Sequence, residues 1–431
     1  MSNVIDGVSL NGTNYTIQDN SAQAAINEIG ENIVQDTTGQ RMADALELIA
    51  LSHAGEIPQT INPRTIREIT RAGLAPKYYD YGDQINVTWN NGTDDFVLPF
   101  DVVAFYPVVN KNGDTVPGLW LQSHYALEPI SFDGNEAFYV SDDVLPAGTY
   151  HFSFGNTWGS NVVSGKSYQF ALANAVPAGG QLLLGSESNT TSGLPDNAPS
   201  TWRVWTFATA NDTTPIEKVL LEEGTDGTDL GTITNSIKYG TTGLNNLYRI
   251  AYGYNRWGQC AYRQWLNSDS INWWSSQNPY DHEPIQRSTY RGFMAGLPSD
   301  FLEIVEPVKI TTALNTYSDS DIGTSEDTYD KFFLPSLEQE YIVPQLVGTE
   351  GGYWPYWKER LDLTSPQPQG ASGTNPNHIR YAYNAISSAQ LCRLRSAIRG
   401  YSPVWYVHST GTASYGYAAH ANRGCPACVI C

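Results

Sequence analysis

The sequence predicts a mainly β protein in three parts: an N-terminal hairpin with helices over residues 1–75, a β-sandwich or jelly-roll-like domain over 76–200, and a third domain over 201–431. Three observations lead there. The chain of 431 residues exceeds one ordinary core, because domains usually hold about 100–200 residues. Aromatic residues are abundant (Trp 12, Tyr 27, Phe 13) while charged residues make up only 16%, a balance that favours short strands over helical bundles. Gly 38 and Pro 24 supply many turns.

The elements follow in order. Residues 4–17 read as two short strands around Asn11-Gly12, since Asn-Gly readily takes the positive φ of a tight hairpin. Asp19 can cap a helix carrying Ile26, Ile29 and Ile33 on one stripe, and after Gly39 a second helix carries Met42, Ala45, Leu46 and Ile49. Those apolar seams have little else to bury them, so residues 1–75 read as a docking or oligomerisation segment, the other reading being a helical cap on the next domain. Pro58 and Pro63 punctuate the boundary, and a short helix at about 64–72 ends near Gly73. Strands are then expected at 96–107, 118–122, 137–140, 149–154, 168–173 and 181–185, with Asn91-Gly92 and Asn112-Gly113 among the turns. The phrase Leu145-Pro146-Ala147-Gly148-Thr149-Tyr150 is echoed by Val176-Pro177-Ala178-Gly179-Gly180-Gln181, each a turn feeding a strand. The polar, Pro/Gly-bearing stretch 186–200 reads as a boundary or exposed loop.

Charge narrows the partners. With 24 basic against 44 acidic residues the net charge is −20, which repels phosphate backbones and anionic lipid, so neither nucleic acid nor membrane insertion is expected. No stretch approaches the ~20 apolar residues of a membrane span. The opening Met1-Ser2-Asn3-Val4 carries no basic segment followed by an apolar core, so no secretion signal is read there. Five cysteines, three of them (Cys425, Cys428, Cys431) in the last seven residues, do not make a disulfide framework. Their C-x-x-C-x-x-C spacing could hold zinc in a turn, but on a strand Cys428 would face away from the other two. No metal and no cofactor are therefore expected. The acidic loop 319–327 misses the EF-hand spacing and reads as solvated, with calcium left open for 319–330. Seven histidines are scattered without H-E-x-x-H or G-x-S-x-G, so no enzyme is expected.

From about residue 245 a series of spaced phrases appears: Asn255-Arg256-Trp257, Arg263-Gln264-Trp265-Leu266-Asn267-Ser268, Gly292-Phe293, Phe333-Leu334-Pro335-Ser336, Leu394-Arg395-Ser396 and Pro426-Ala427-Cys428-Val429-Ile430. In order and spacing the series resembles phage and bacterial proteins of C-type-lectin-like fold that include targets of diversity-generating retroelements. The first 60 residues are similar to the virion-anchoring start of phage fibre and baseplate-associated proteins. The resemblance implies an α+β, C-type-lectin-like domain over 201–431 on a fibre-type virion protein of tail or head, made in the bacterial cytoplasm and released at lysis. It further implies contacts to other virion proteins through residues 1–75, a homo-oligomer (trimers included), and a host-surface protein or glycan as ligand. A capsid or tail decoration protein without receptor binding is the structural alternative. Calcium-dependent sugar binding is not expected, because the Glu-Pro pairs continue as Glu128-Pro129-Ile130, Glu283-Pro284-Ile285 and Glu306-Pro307-Val308. One branch of the fold is a formylglycine-generating oxidase, for which Cys260 and Cys392 would have to meet in space.

Read as residues, Trp257, Trp265, Phe333, Leu334 and Leu394 suit a core, and Arg263 and Arg395 a buried hydrogen-bonded or ion-paired role. Residues 399–425 are rich in Tyr, Ser, Gly, His and Asn, a composition like that of an antibody paratope, in which tyrosine offers large contact area with little entropy to lose. Ligand contact is thus expected at Tyr401, Tyr406, His408, Ser414, Tyr415, Tyr417, His420, Asn422 and Arg423, with Trp405 and Cys428 supporting the hairpin from within. The alternative is an ordinary hairpin with some exposed tyrosines. In the resembled retroelement targets, randomised AAC codons cannot yield Lys, Glu, Gln, Met or Trp, and between Arg399 and Cys431 only Trp405 belongs to that set.

Overall fold

Strands Gly7–Leu10 and Thr13–Thr16 pair antiparallel at the start of the chain. The computed structural model describes residues 7–10, 13–16, 62–155, 165–186, 202–233, 247–315, 323–346, 348–370, 373–398 and 402–431. The helices expected between residues 19 and 61, Tyr401, and residues 319–322 of the acidic loop lie outside them. Among the described residues the chain is mainly β, built from several small sheets with no barrel. No helix of the described residues is long and apolar enough to cross a membrane.

A helix forms at Pro63–Arg71, where Asn62 accepts the Arg64 N–H at 2.9 Å and proline occupies the first turn, whose N–H groups have no helical partner. Gly73, with φ +70°, ends it. Ile66 and Ile69 are buried in the main core, and the helix rests on helix Ser299–Ile304 and on strand Ala427–Ile430. Residues 62–75 therefore belong to the folded domain, and a docking segment ending at 75 cuts through its core.

The central sheet runs in the order Phe332–Phe333, Ala427–Ile430, Leu119–Ser123, Asp95–Ala104, Gln84–Asn90, all antiparallel. Three of its strands precede residue 125 and two follow residue 330. A second five-stranded sheet has the order Ala413–Tyr417, Pro403–Val407, Cys392–Ala397, Ala421–Gly424, Ile130–Ser131, with the pair Cys392–Ala397 and Ala421–Gly424 parallel. Early and late segments thus share both sheets.

Between them sits an insertion. Strands Gly148–Phe154 and Ser167–Leu172 bury every second residue (Tyr150, Phe152, Phe154; Tyr168, Phe170, Leu172), the period that a one-faced strand imposes. Leu182, Leu184, Trp202 and Val204 of the facing sheet complete the same core. The two sheets, each of four strands, take their members from 139–233. The echoed phrases meet each other here: Leu145 and Val176 exchange both backbone hydrogen bonds, at 2.8 and 2.9 Å. The cores do not follow the expected division at 200. One core gathers residues 66–132 and 257–431, while the second spans 138–252 and interrupts it.

The phrases of the last 190 residues converge on the main core. Asp330 accepts from Trp257 Nε1 at 2.9 Å and Arg263 Nε at 2.6 Å, tying two of them to strand Ser325–Asp330. Asn267 accepts the Lys331 and Phe332 N–H groups and donates to the Phe332 carbonyl. Gly292 leaves space that a Cβ would lose, since it would lie 2.3 Å from the Ser268 carbonyl. Phe293 can then pack on Trp265 and Phe332. Trp257, Trp265, Phe333, Leu334 and Leu394 are all buried. Because Ile69 is fully buried, Ile69→Ala should cost about 2–5 kcal/mol in urea unfolding. Deletion of residues 1–75 would remove Ile66 and Ile69 with any assembly segment, so an assembly test should stop at residue 61.

Candidate functional site

The C-terminal hairpin is a two-faced ribbon. Strands Pro403–Val407 and Ala413–Tyr417 pair so that Tyr406 lies opposite Ser414 and Trp405 opposite Tyr415. Opposed residues of an antiparallel pair share a face and successive residues alternate. Tyr406 and Ser414 therefore share one face, and Trp405 and Tyr415 the other. Trp405 is buried with Cys392, Leu394, Val407 and Cys425, and Tyr415 leaves 48% of its surface exposed while meeting Trp405 edge-on at 5.6 Å.

Arg393 holds this ribbon from beneath. It lies opposite Tyr406 in the sheet and is fully buried. Its guanidinium donates to the carbonyls of Val404, Gly416, Tyr417 and His420 at 2.9–3.3 Å and lies 6.0 Å from the Tyr406 ring centroid. No carboxylate forms an ion pair with it among the described residues, and burial lowers its pKa to about 10. The next arginine, Arg395, is buried likewise and donates to Leu334 and Glu350 carbonyls at 2.8 and 2.7 Å. Arg393 escaped the sequence reading. Three consecutive buried residues, Arg393, Leu394 and Arg395, mark a strand covered on both faces.

The expected ligand residues separate into two groups. Tyr406, His408 and Ser414 are half-buried, and Tyr415 and His420 are exposed. His408 is tied into the turn, where its Nδ1 accepts the Thr410 N–H at 3.2 Å. Tyr417, Asn422 and Arg423 have other work. Tyr417 stacks on Tyr252 of the insertion at 3.6 Å with planes 5° apart. Asn422, with its amide turned to satisfy its neighbours, accepts from Arg393. Arg423 donates to the Leu127 carbonyl at 2.6 Å and lies over the Tyr383 ring. All three are half-buried, as Tyr406, His408 and Ser414 are, and Asn422 lies opposite Ile130 where the chain joins Ile130–Ser131.

The thiols are also redistributed. Cys392 lies 3.5 Å from Cys425, sulfur to sulfur, and Cys260 instead accepts the Arg263 N–H at the start of helix Ala261–Leu266. The Cys260–Cys392 meeting that an oxidase reading requires is not what the chain builds. Burial pushes the Cys260 and Cys392 thiols up, away from the thiolate form that reacts. Cys428 and Cys431 belong to the main core and Cys425 to the smaller one beneath the hairpin. His378 is buried with both ring nitrogens engaged, by Glu340 at 2.9 Å and Gln367 at 3.2 Å. Asp101 is another inward pair: burial acts upward on its carboxyl, but His124 and Arg380 hold it down at about 2.

At the junction of the two cores, three buried carboxyls, Asp133, Glu136 and Asp281, surround the buried Arg249, which pairs with Glu136. The hairpin reaches this junction through the Asp133 N–H, which donates to Ala418, and the Ala419 N–H, which donates to Tyr252. One guanidinium cannot balance three carboxylates. Burial, partly opposed by Arg249 and aided by Asp281, raises Glu136 from 4.5 to about 7. Asp133 and Asp281 are raised too, first by burial.

Three outcomes follow from these buried charges. A carboxyl whose folded pKa is raised contributes stability that is complete below its unfolded pKa and lost as pH rises through the folded one. Unfolding midpoints in urea should therefore fall between about pH 4.5 and 7, and Glu136→Gln should flatten that slope; an unchanged slope in the variant would remove Glu136 as its source. Asp101 acts with the opposite sign, and only where the pH falls below about 4 towards 2. Arg393→Met should destabilise by on the order of 3 kcal/mol, because buried carbonyls lose a charged donor.

A family described as a domain of unknown function, DUF6273, matches residues 233–430. The matched stretch takes in the second sheet from Cys392 onward and two of the five strands of the central sheet. Comparison with curated proteins finds no match, and neither does comparison with solved structures.

Proposed function

We propose that the chain is a fibre-type phage virion protein that displays a C-type-lectin-like domain and binds a host or environmental ligand through its C-terminal hairpin. The observation that carries this reading is a ribbon with half-buried Tyr406 and Ser414 on one face, exposed Tyr415 on the other and exposed His420 beyond it, whose backbone carbonyls Arg393 holds. Side chains on a fixed ribbon can change or be truncated without disturbing the fold, which is what a recognition surface requires. Tyrosine suits the role because it offers broad amphipathic contact with two χ angles to freeze. Gly416 adds to this, since a Cβ there would come within 3.0 Å of the Tyr406 ring. The lectin-like assignment rests on the ordered phrases and on the return of the last strand to pair with Leu119–Ser123. The insertion is read as jelly-roll-like, and residues 1–61 as the segment that joins other virion proteins and other copies of the chain.

The test is adsorption of particles, or binding of purified protein to susceptible cells, for Tyr406→Ala, Tyr415→Ala and His420→Ala, with melting curves in parallel. Tyr415→Ala and His420→Ala should stay within about ±0.5 kcal/mol in stability. An anchoring tyrosine should cost binding on the order of 2 kcal/mol. A folded triple variant that binds normally would reject the hairpin as the contact surface and favour the decoration role. Deleting residues 1–61 should release monomers in light scattering; retention of the full oligomeric mass would place assembly elsewhere.

A further inference from the structure

A groove of about 780 Å³ opens on the main domain, away from the residues assigned to the hairpin surface. Small-ligand sites usually occupy about 300–1,000 Å³. Tyr81, Tyr106, Tyr341 and Tyr353 line it, and Lys358 and Glu359 of helix Pro355–Arg360 stand at its side. The wall is fixed in advance. Tyr106 donates its hydroxyl to the Tyr353 carbonyl at 3.0 Å, and the Tyr341 and Tyr353 rings meet edge to face at 5.2 Å. Beneath them the Glu338 carboxylate gathers the N–H groups of Gly348, Glu350 and Gly352, which sets the loop that delivers Tyr353.

Two further features shape this wall, and the first closes the turn 336–341, where the Ile342 N–H donates to the Leu337 carbonyl at 2.9 Å. Tyr341 holds φ +55°, a left-handed conformation costly for an aromatic residue, and it is kept there by Gln367 N–H donation to its carbonyl at 2.9 Å. Trp354, fully buried and lining the groove, has an indole N–H without an acceptor among the described residues. A buried N–H left unmatched costs about 1–3 kcal/mol.

We propose that this groove binds a neutral oligosaccharide. Tyrosines offer flat apolar faces with a polar rim, matching a sugar ring whose C–H faces are apolar and whose edges carry hydroxyls. Each hydroxyl both donates and accepts, and the groove supplies both kinds of partner in Lys358 and Glu359, whose charges cancel. The net charge of −20 opposes polyanionic glycans. A proline-rich peptide also lies on aromatic grooves, but it presents carbonyl acceptors and no side-chain donors, leaving Glu359 unused.

The experiment uses the full chain and calorimetric titration with cellotriose, maltotriose, mannotriose and chitotriose, and separately with a proline decapeptide. At least one trisaccharide should bind saturably. Its Kd should rise about tenfold or more in Tyr106→Ala and in Glu359→Ala, and stay unchanged in Tyr415→Ala, which alters only the hairpin. Melting curves identify any variant that fails to fold, and Glu359→Gln then replaces it, keeping the shape while removing the charge. Binding of no trisaccharide, trisaccharide binding indifferent to the groove variants, or binding of the decapeptide alone would each overturn the proposal. Cell binding through the hairpin is read independently, so loss of either result leaves the other standing.

Discussion

The closing strand Ala427–Ile430 is the contact on which the rest depends. It lies between Leu119–Ser123 and Phe332–Phe333, pairing Cys428 with Leu121 on one side and with Phe332 on the other. Without it the central sheet separates into an early and a late part, each with an open edge. The cost of closing so long a loop grows only slowly with length, by about 0.6 kcal/mol for each doubling. A chain that already joins its ends can therefore carry a whole second core within the loop, and this one does so between 132 and 257.

Burying strands on both faces creates a second demand. The covered strand Cys392–Ala397 packs arginines where apolar residues would be usual, and those arginines satisfy carbonyls that irregular neighbouring segments leave without partners. Arg393 thereby joins three chain segments, the hairpin strands, the turn at His420 and its own strand, through one planar group. Removal of such a charged donor exposes unmet acceptors, so four backbone carbonyls around the hairpin depend on a single side chain. At the junction, Arg249 does the same with carboxyls and is outnumbered by them, so proton uptake completes the balance there.

Both surfaces proposed for recognition use tyrosines, but on different supports. In the hairpin they stand on a regular ribbon, with Tyr415 at the sheet edge. In the groove they come from loops pinned by Glu338 and by the helix that begins at Pro355. The ribbon is held through its backbone by Arg393, whereas the groove is shaped by a turn closed at Tyr341 and by a loop set on Glu338.

Much of the local structure could be read from residues alone. The strands of the insertion alternate buried and exposed side chains, the Pro63 and Gly73 punctuation brackets a helix, and the aromatic anchors Trp257, Trp265 and Phe333 are large apolar groups in polar surroundings. Such features depend on neighbours a few positions away, and the amino-acid order contains them. The partners of each strand are another matter. Nothing within Leu119–Ser123 distinguishes an insertion strand from one awaiting the end of the chain, so the division at 200 followed sequence proximity. Composition likewise marked the hairpin as tyrosine-rich but did not separate Tyr415, which faces out, from Tyr417, which the Tyr252 ring covers. The groove was invisible for the same reason, since Tyr81, Tyr106, Tyr341 and Tyr353 come from distant segments. By itself the sequence determined a β-rich, acidic chain with its turns and core anchors; only tertiary pairing, which joins residues hundreds of positions apart, decided which of its exposed aromatic side chains share a surface.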